Sequence, residues 1–281
     1  MESQRKHARA FSFEFFPPKT PEGKAKLRTT WQQLAQLKPR FFSCTFGAGG
    51  STQQGTLDTV LEIRSAGYEA APHLSCVASS KAEIKDILGR YKENGIRHIV
   101  ALRGDLPSGV AMAGELRYAN ELVSYIRETT GDWFNIEVAC YPEYHPQTRN
   151  AVDEVTNFKR KVDAGANAAM TQYFYNPDAY FRFVDECEAA RIAIPIVPGI
   201  MPIGNFSQLA RFSDACGAEI PRWMRLKLEG YRDDTASIRS FGLDVVTSLC
   251  DKLLSEGAPG LHFYTLNQAG AVSTIWQRLG L

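Results

Sequence analysis

The chain has 281 residues, 44% of them hydrophobic and 22% charged, with 32 Lys and Arg against 31 Asp and Glu for a net charge of +1. This is ordinary globular composition, and the length suits one domain over 1–281, since barrels often reach about 250 residues as a single unit. The balanced charge gives no reason to expect nucleic acid or a membrane surface as partner, because both need a concentrated basic face, and no apolar run approaches the roughly 20 residues that span a bilayer.

Residues 1–9 are polar and basic, with no apolar stretch and no small-residue cleavage site, so no secretory signal is read and a cytoplasmic location is expected. Beyond them, short apolar runs recur at 11–16, 41–46, 70–76, 98–102, 136–141, 168–174, 194–198 and 260–264. Several are rich in β-branched or aromatic residues, and none alternates cleanly with polar ones, as expected of strands covered on both faces of a parallel sheet. The intervening segments carry helical spacing: Leu27, Trp31 and Leu34; Val152, Val155, Phe158 and Val162; Ile238, Phe241, Val245, Leu249 and Leu253. Ser80-x-x-Glu83 forms a capping box, Asn176 precedes Pro177 as a cap, and Asn205 and Thr235 can cap two further helices. Gly67, Gly95, Gly165 and Gly257 follow helical stretches, where a left-handed terminator belongs.

Eight strands alternating with helices predict an α/β chain with a (β/α)₈ TIM barrel. The segment 203–254 is longer than one helix needs, so an extra helix or two is expected between strands seven and eight. A doubly wound open sheet is the runner-up, and it lacks the G-x-G-x-x-G that would favour it. The six cysteines, Cys44, Cys76, Cys140, Cys187, Cys216 and Cys250, are widely spaced. They read as buried reduced thiols, and no metal site is expected.

In a barrel, chemistry belongs at the C-terminal ends of the strands. Polar residues gather there: Glu14 in strand one, Thr45 and Phe46 leading into Gly47-Ala48-Gly49-Gly50, His73 in strand three, Arg103-Gly104-Asp105 after strand four, and Tyr141-Pro142-Glu143 with His145 after strand five. Thr171-Gln172 and Tyr264-Thr265-Leu266-Asn267 mark two more ends. Glu14, between aromatics, reads as a general acid whose pKa is raised by desolvation, against a core carboxylate paired with an Arg. His73 fits a satisfied core histidine equally well. His98 and His262 read as structural. Asn157, Arg160 and Lys161 share a helix face, either as a solvated basic surface or as a clamp in which Arg forks to phosphate oxygens and Lys adds a point charge. These patterns describe a barrel enzyme without naming its reaction.

Longer motifs carry a resemblance. Phe11-Ser12-Phe13-Glu14-Phe15-Phe16-Pro17-Pro18, Ala71-Pro72-His73-Leu74, His98-Ile99-Val100-Ala101-Leu102-Arg103-Gly104-Asp105-Leu106-Pro107, Tyr141-Pro142-Glu143-Tyr144-His145-Pro146, Lys159-Arg160-Lys161-Val162-Asp163-Ala164-Gly165-Ala166-Asn167 and His262-Phe263-Tyr264-Thr265-Leu266-Asn267 resemble, in order, the methylenetetrahydrofolate reductase family in its bacterial single-domain form. The resemblance implies a flavoprotein barrel that reduces 5,10-methylenetetrahydrofolate to 5-methyltetrahydrofolate by a ping-pong mechanism, feeding one-carbon metabolism and methionine synthesis. It implies FAD as cofactor, NADH or NADPH as electron donor, a folate substrate and a homo-oligomer.

By the same resemblance Glu14 matches the general acid and Asp105 a carboxylate near flavin and pterin. Thr45, Phe46, Ala48, His73, Arg103 and Gly104 match flavin-contacting positions. So do Tyr118, Ala119, Ala139, Tyr141, His145, Glu154, Asn157, Arg160 and Lys161. Gln172, Gln208 and Phe212 match substrate-side positions. Two departures stand out. Gln268 replaces an Arg found in some bacterial relatives, and Glu154 replaces an Asp near the flavin's sugar. The competing readings are another barrel enzyme, such as a methyl transferase or Schiff-base lyase, and a carrier without turnover. A lyase needs a Lys at a strand end, and a carrier needs no proton donor.

Overall fold

The computed structural model describes residues 1–47, 52–77, 79–104, 114–148 and 150–281. In chain order the elements are α1 (Glu2–Arg5), β1 (Ala10–Phe15), α2 (Pro21–Ala35), β2 (Phe41–Cys44), α3 (Gln53–Ser65), β3 (Ala70–Ser75), α4 (Lys81–Glu93), β4 (His98–Leu102), α5 (Ala119–Thr130), β5 (Asn135–Cys140) and α6 (Ala151–Asp163). They continue as β6 (Ala168–Thr171), α7 (Pro177–Ala189), β7 (Ile196–Val197), β8 (Gly199–Ile200), α8 (Phe206–Cys216), α9 (Arg222–Tyr231), α10 (Thr235–Ser255), β9 (Gly260–Tyr264) and α11 (Gly270–Arg278).

The sheet runs β7-β6-β5-β4-β3-β2-β1-β9-β8. The β1–β2, β2–β3, β3–β4, β4–β5 and β8–β9 pairings are parallel. β7 and β8 flank Pro198, which has no N–H to give a ladder, so they are two halves of one interrupted strand. Counted so, eight strands alternate with helices in sequential order, and the fold is the (β/α)₈ barrel. Helices α8, α9 and α10 all lie between β8 and β9, where the surplus length was expected. Among the described residues no helix is long and apolar enough to cross a membrane.

The chain packs as two compact units. One comprises Ser12–Ala139 and Phe158–Ala169. Its strands are apolar almost throughout, with β2 and β3 buried at every position. Phe15 stacks on Phe42 at 5.6 Å, and Leu27, Trp31 and Leu34 of α2 are buried on the predicted face. The capping box at Ser80 is formed in full. His98 is structural, as read: its Nε2 lies 3.0 Å from Glu137 Oε1, both side chains are buried, and the Phe41 ring centroid is 4.1 Å away.

The other unit comprises Met1–Phe11, Cys140–Asn157 and Met170–Leu281. Phe174 stacks on Tyr180 at 5.7 Å, and the Tyr180 hydroxyl donates to the Ile196 carbonyl at 2.7 Å. Gln4 is fully buried, accepting from Ile196 N–H at 2.8 Å and donating to the Ile194 carbonyl at 3.3 Å. Three local expectations are corrected here. Helix α10 is capped by Asp234, not Thr235, because the carboxylate reaches Ser237 N–H at 3.1 Å. Its buried line runs through Gly242 and Val246, not Phe241 and Val245; a Cβ at Gly242 would fall 2.6 Å from the Ile203 carbonyl oxygen, so the helix approaches that backbone closely. Val152, expected on the apolar face of α6, is 74% exposed in the first turn of that helix.

Candidate functional site

The first unit builds one polar cluster at its strand ends. Register sets Glu14 of β1 beside Ser43 of β2, and Ser43 beside Ala71 of β3. Side chains two residues apart share a face of a strand, so His73 stands one pleat beyond Ala71 on the same side. The Ser43 hydroxyl reaches Glu14 Oε2 at 3.5 Å, and His73 Nε2 lies 3.2 Å from the same oxygen. The Glu14 side chain is 14% exposed and that of His73 only 6%. The His73 contact makes no hydrogen bond, leaving Nε2 buried without a hydrogen-bond partner among the described residues. The Ser75 hydroxyl, next on the same face of β3, is likewise buried and unbonded.

Beside them the chain leaves β4 through half-buried Arg103 and Gly104. Gly104 holds φ +85°, and a Cβ there would fall 2.7 Å from Ser75 Cβ and 2.9 Å from Val77 Cγ1. Only glycine fits both the conformation and the space. Asp105 and Ala48, both expected at the site, lie outside the described residues. Thr45 is half-exposed and donates its N–H to the Phe15 carbonyl at 2.9 Å, while Phe46 is buried. Tyr118, 57% exposed, precedes α5, where Ala119 is buried. Lys161 of α6 donates to the Ala139 carbonyl at 2.7 Å, which anchors its ammonium to the end of β5, and Arg160 is exposed nearby on the same helix.

The second unit holds the remaining candidates. Tyr141 and His145 meet edge to face, ring centroids 4.7 Å apart. His145 Nδ1 accepts the Gln147 N–H at 3.1 Å, which leaves the proton of a neutral ring on Nε2. Glu154, 3% exposed, accepts the His145 N–H at 3.0 Å and the Thr148 hydroxyl at 2.7 Å. Its carboxylate therefore shapes the turn that presents His145. Asn157 is exposed on α6. Gln172 follows β6, and its side-chain oxygen accepts the Tyr173 N–H at 3.0 Å, which orients the amide. Thr171 is bonded on both sides: its hydroxyl accepts the Gly199 N–H at 2.9 Å and its carbonyl the Tyr264 hydroxyl at 2.7 Å. Gln208 and Phe212 sit one helical turn apart on α8, both half-exposed. Gln268 is exposed in the turn after β9.

Ser43 and Ser75 were not singled out from sequence. The available signal was a hydroxyl near the C-terminal end of a short, mostly apolar strand. Glu143 was noted only within a strand end, yet burial, above all, raises its carboxyl to about 7.

The family profile of methylenetetrahydrofolate reductase matches residues 1–280. The 5,10-methylenetetrahydrofolate reductases of Salmonella typhimurium and Escherichia coli are each 42% identical over 271 residues, covering 96% of this chain and 90% of theirs. The probable methylenetetrahydrofolate reductase (NADH) of Oryza sativa is 39% identical over 96% of this chain, which spans 48% of that longer protein. Among solved structures, an uncharacterized protein from Clostridium thermocellum that binds two copies of 5-methyl-5,6,7,8-tetrahydrofolic acid shares the fold, with a TM-score of 0.66 at 13% identity, over 98% of this chain and 94% of its own. A profile matching nearly every residue, together with these identities, places the chain in the methylenetetrahydrofolate reductase family.

Proposed function

We propose that the protein reduces 5,10-methylenetetrahydrofolate to 5-methyltetrahydrofolate with FAD as cofactor and NADH or NADPH as donor, in two half-reactions that follow one another in ping-pong order. The observation that carries the reading is a mostly buried carboxyl, Glu14, set against His73 at the ends of strands β1 and β3. That is the environment a proton donor to a folate one-carbon bridge requires.

The described residues fit a flat, polar-edged cofactor. Among the described residues Ser75 Oγ and His73 Nε2 are buried without hydrogen bonds, and such groups are costly unless something completes them. Gly104 keeps that neighbourhood clear of a side chain. When bound, FAD supplies the hydride acceptor for the nicotinamide and the hydride donor for the folate. Glu14 holds the proton, with Ser43 orienting its carboxyl and the His73 ring packed against it. Lys161, anchored on Ala139, and Arg160 hold phosphate oxygens. Gln172, its amide oriented by the Tyr173 N–H, binds the folate ring, and α8 covers it with Gln208 and Phe212. By the family resemblance, Asp105 supplies a negative charge that favours the cation forming on the folate. The protein works in the cytoplasm as a homo-oligomer, supplying methyl groups for methionine synthesis.

The visible spectrum tests this directly. The purified protein should be yellow and should bleach anaerobically with NADH or NADPH, then recover on adding methylenetetrahydrofolate. The rice relative is named for NADH, so NADH is the first donor to try. A colourless protein that takes up no FAD would sink the reading.

A further inference from the structure

The turn after β5 and the connection from α8 to α9 are fastened to each other. Glu143 Oε2 accepts the Glu219 N–H at 2.8 Å. Helix α8 ends at Gly217, left-handed at φ 76°, where a Cβ would fall 3.0 Å from Pro146 Cγ and 3.5 Å from the Tyr144 carbonyl oxygen. The Glu143 side is itself braced. Arg182 of α7 donates to the Tyr144 hydroxyl and to the Pro142 carbonyl, each at 2.7 Å. A second tie, the 3.0 Å hydrogen bond between the Tyr173 and Ser213 hydroxyls, holds the buried side of α8 beside the residue that follows Gln172. A narrow crevice lined by Tyr141, Glu143, Gln172, Tyr173, Cys216 and Gly217 runs between these ties.

We propose that Glu143 is a positioning residue for the folate: its carboxyl clamps the end of α8 and so sets the helix face that carries Gln208 and Phe212. The inference rests on the folate reading of α8 given above. A helix held at Ser213 alone can pivot about that point, whereas one held at Ser213 and Glu219 cannot. Displacements of about 1 Å away from reacting atoms are known to cost on the order of a hundredfold in rate.

The groups facing the clamp give it a pH dependence. Burial raises the Glu143 carboxyl to about 7, with the Glu219 carboxylate adding to the rise, while the Glu219 N–H and Arg182 oppose it. Tyr173 and Cys216 are the other titratable groups lining the crevice. An opened clamp would return the carboxyl to its ordinary 4.5. The closed form therefore binds the proton more tightly, so the clamp is firm below about pH 4.5, loosens as pH rises from there, and has lost this contribution by about pH 7.

Two variants and a reporter test this. Glu143→Ala removes the acceptor, whereas Glu143→Gln keeps an oxygen of the same reach and cannot ionise. Cys216, the last residue of α8, is half-buried while the other five cysteines are buried, so its reaction with a chromogenic disulfide reports opening without any turnover. In the protein with FAD bound, Glu143→Ala should label Cys216 roughly tenfold faster and raise the folate KM about tenfold, with FAD content unchanged. Glu143→Gln should match the native protein at about pH 4.5 and below, where the carboxyl is protonated in the closed form and largely so in the open one. Above pH 7 the native protein should label faster than Glu143→Gln, a ratio that cancels the pH dependence of the thiol itself. Unchanged labelling and folate KM in Glu143→Ala would overturn the proposal, as would a Gln variant as loose as the Ala one. Faster labelling with an unmoved folate KM would overturn the positioning role and leave the reductase reading standing. Absence of folate turnover in the native protein would sink the reductase reading and with it the folate role of the clamp.

Discussion

Glu14 carries most of the chemistry assigned at the scale of single residues. Replacing it with Gln keeps its volume and its contact with Ser43 but leaves no acidic proton. The expected result is flavin that is still reduced by NADH, with folate-dependent reoxidation slowed about 10²–10⁴-fold, as measured by stopped-flow absorbance. Full folate turnover in Glu14→Gln would remove it from that role. The residue itself was visible in the sequence as a carboxyl among aromatics. Its neighbours were not, because Ser43 and His73 reach it through strand register, a relation between distant segments that no local pattern encodes. His73, balanced between core and site on sequence alone, proves to be both buried and in contact with Glu14.

Helix α6 shows what an element adds to its residues. The resemblance placed Asn157, Arg160 and Lys161 along it, and the fold anchors Lys161 on the Ala139 carbonyl at 2.7 Å. Arg160→Ala with Lys161→Ala should therefore release FAD at least tenfold faster, since each charged hydrogen bond lost is worth about 1.5–3 kcal/mol. Flavin retained after gel filtration is the measurement, and unchanged retention would return these residues to a solvated face. Elements were legible wherever a local device defined them, as with the Ser80 box and the Asn176 and Asn205 caps. They were misjudged where tertiary packing decided. The run at 168–174 ends as a strand at Thr171, because Tyr173, Phe174 and Tyr175 bury their rings against neighbouring side chains instead of continuing a ladder. The first turn of α6 leaves Val152 in solvent although its spacing matched the buried side.

For the whole molecule, the order of strands and the helical insert before β9 could be read from the alternation of apolar runs. The role of residues 1–9 could not. Gln4 looks like any polar residue near a chain end, yet it is fully buried and takes two backbone groups of the segment leading into β7. Gln4→Ala should lower unfolding stability by about 1–3 kcal/mol in urea titration, the cost of leaving a buried amide unsatisfied. A variant within experimental error of the native protein would show that water replaces the side chain without loss. Its place matters because β7 and β8 contribute only two residues each on either side of Pro198, and much of their support comes from the side chains of Gln4, Thr171 and Tyr180. An engineer seeking new chain ends for a circular permutant should therefore avoid residues 196–200. Cutting there would separate short pieces that depend on borrowed side chains, whereas an opening in an exposed helix-to-strand turn would leave every such bond intact.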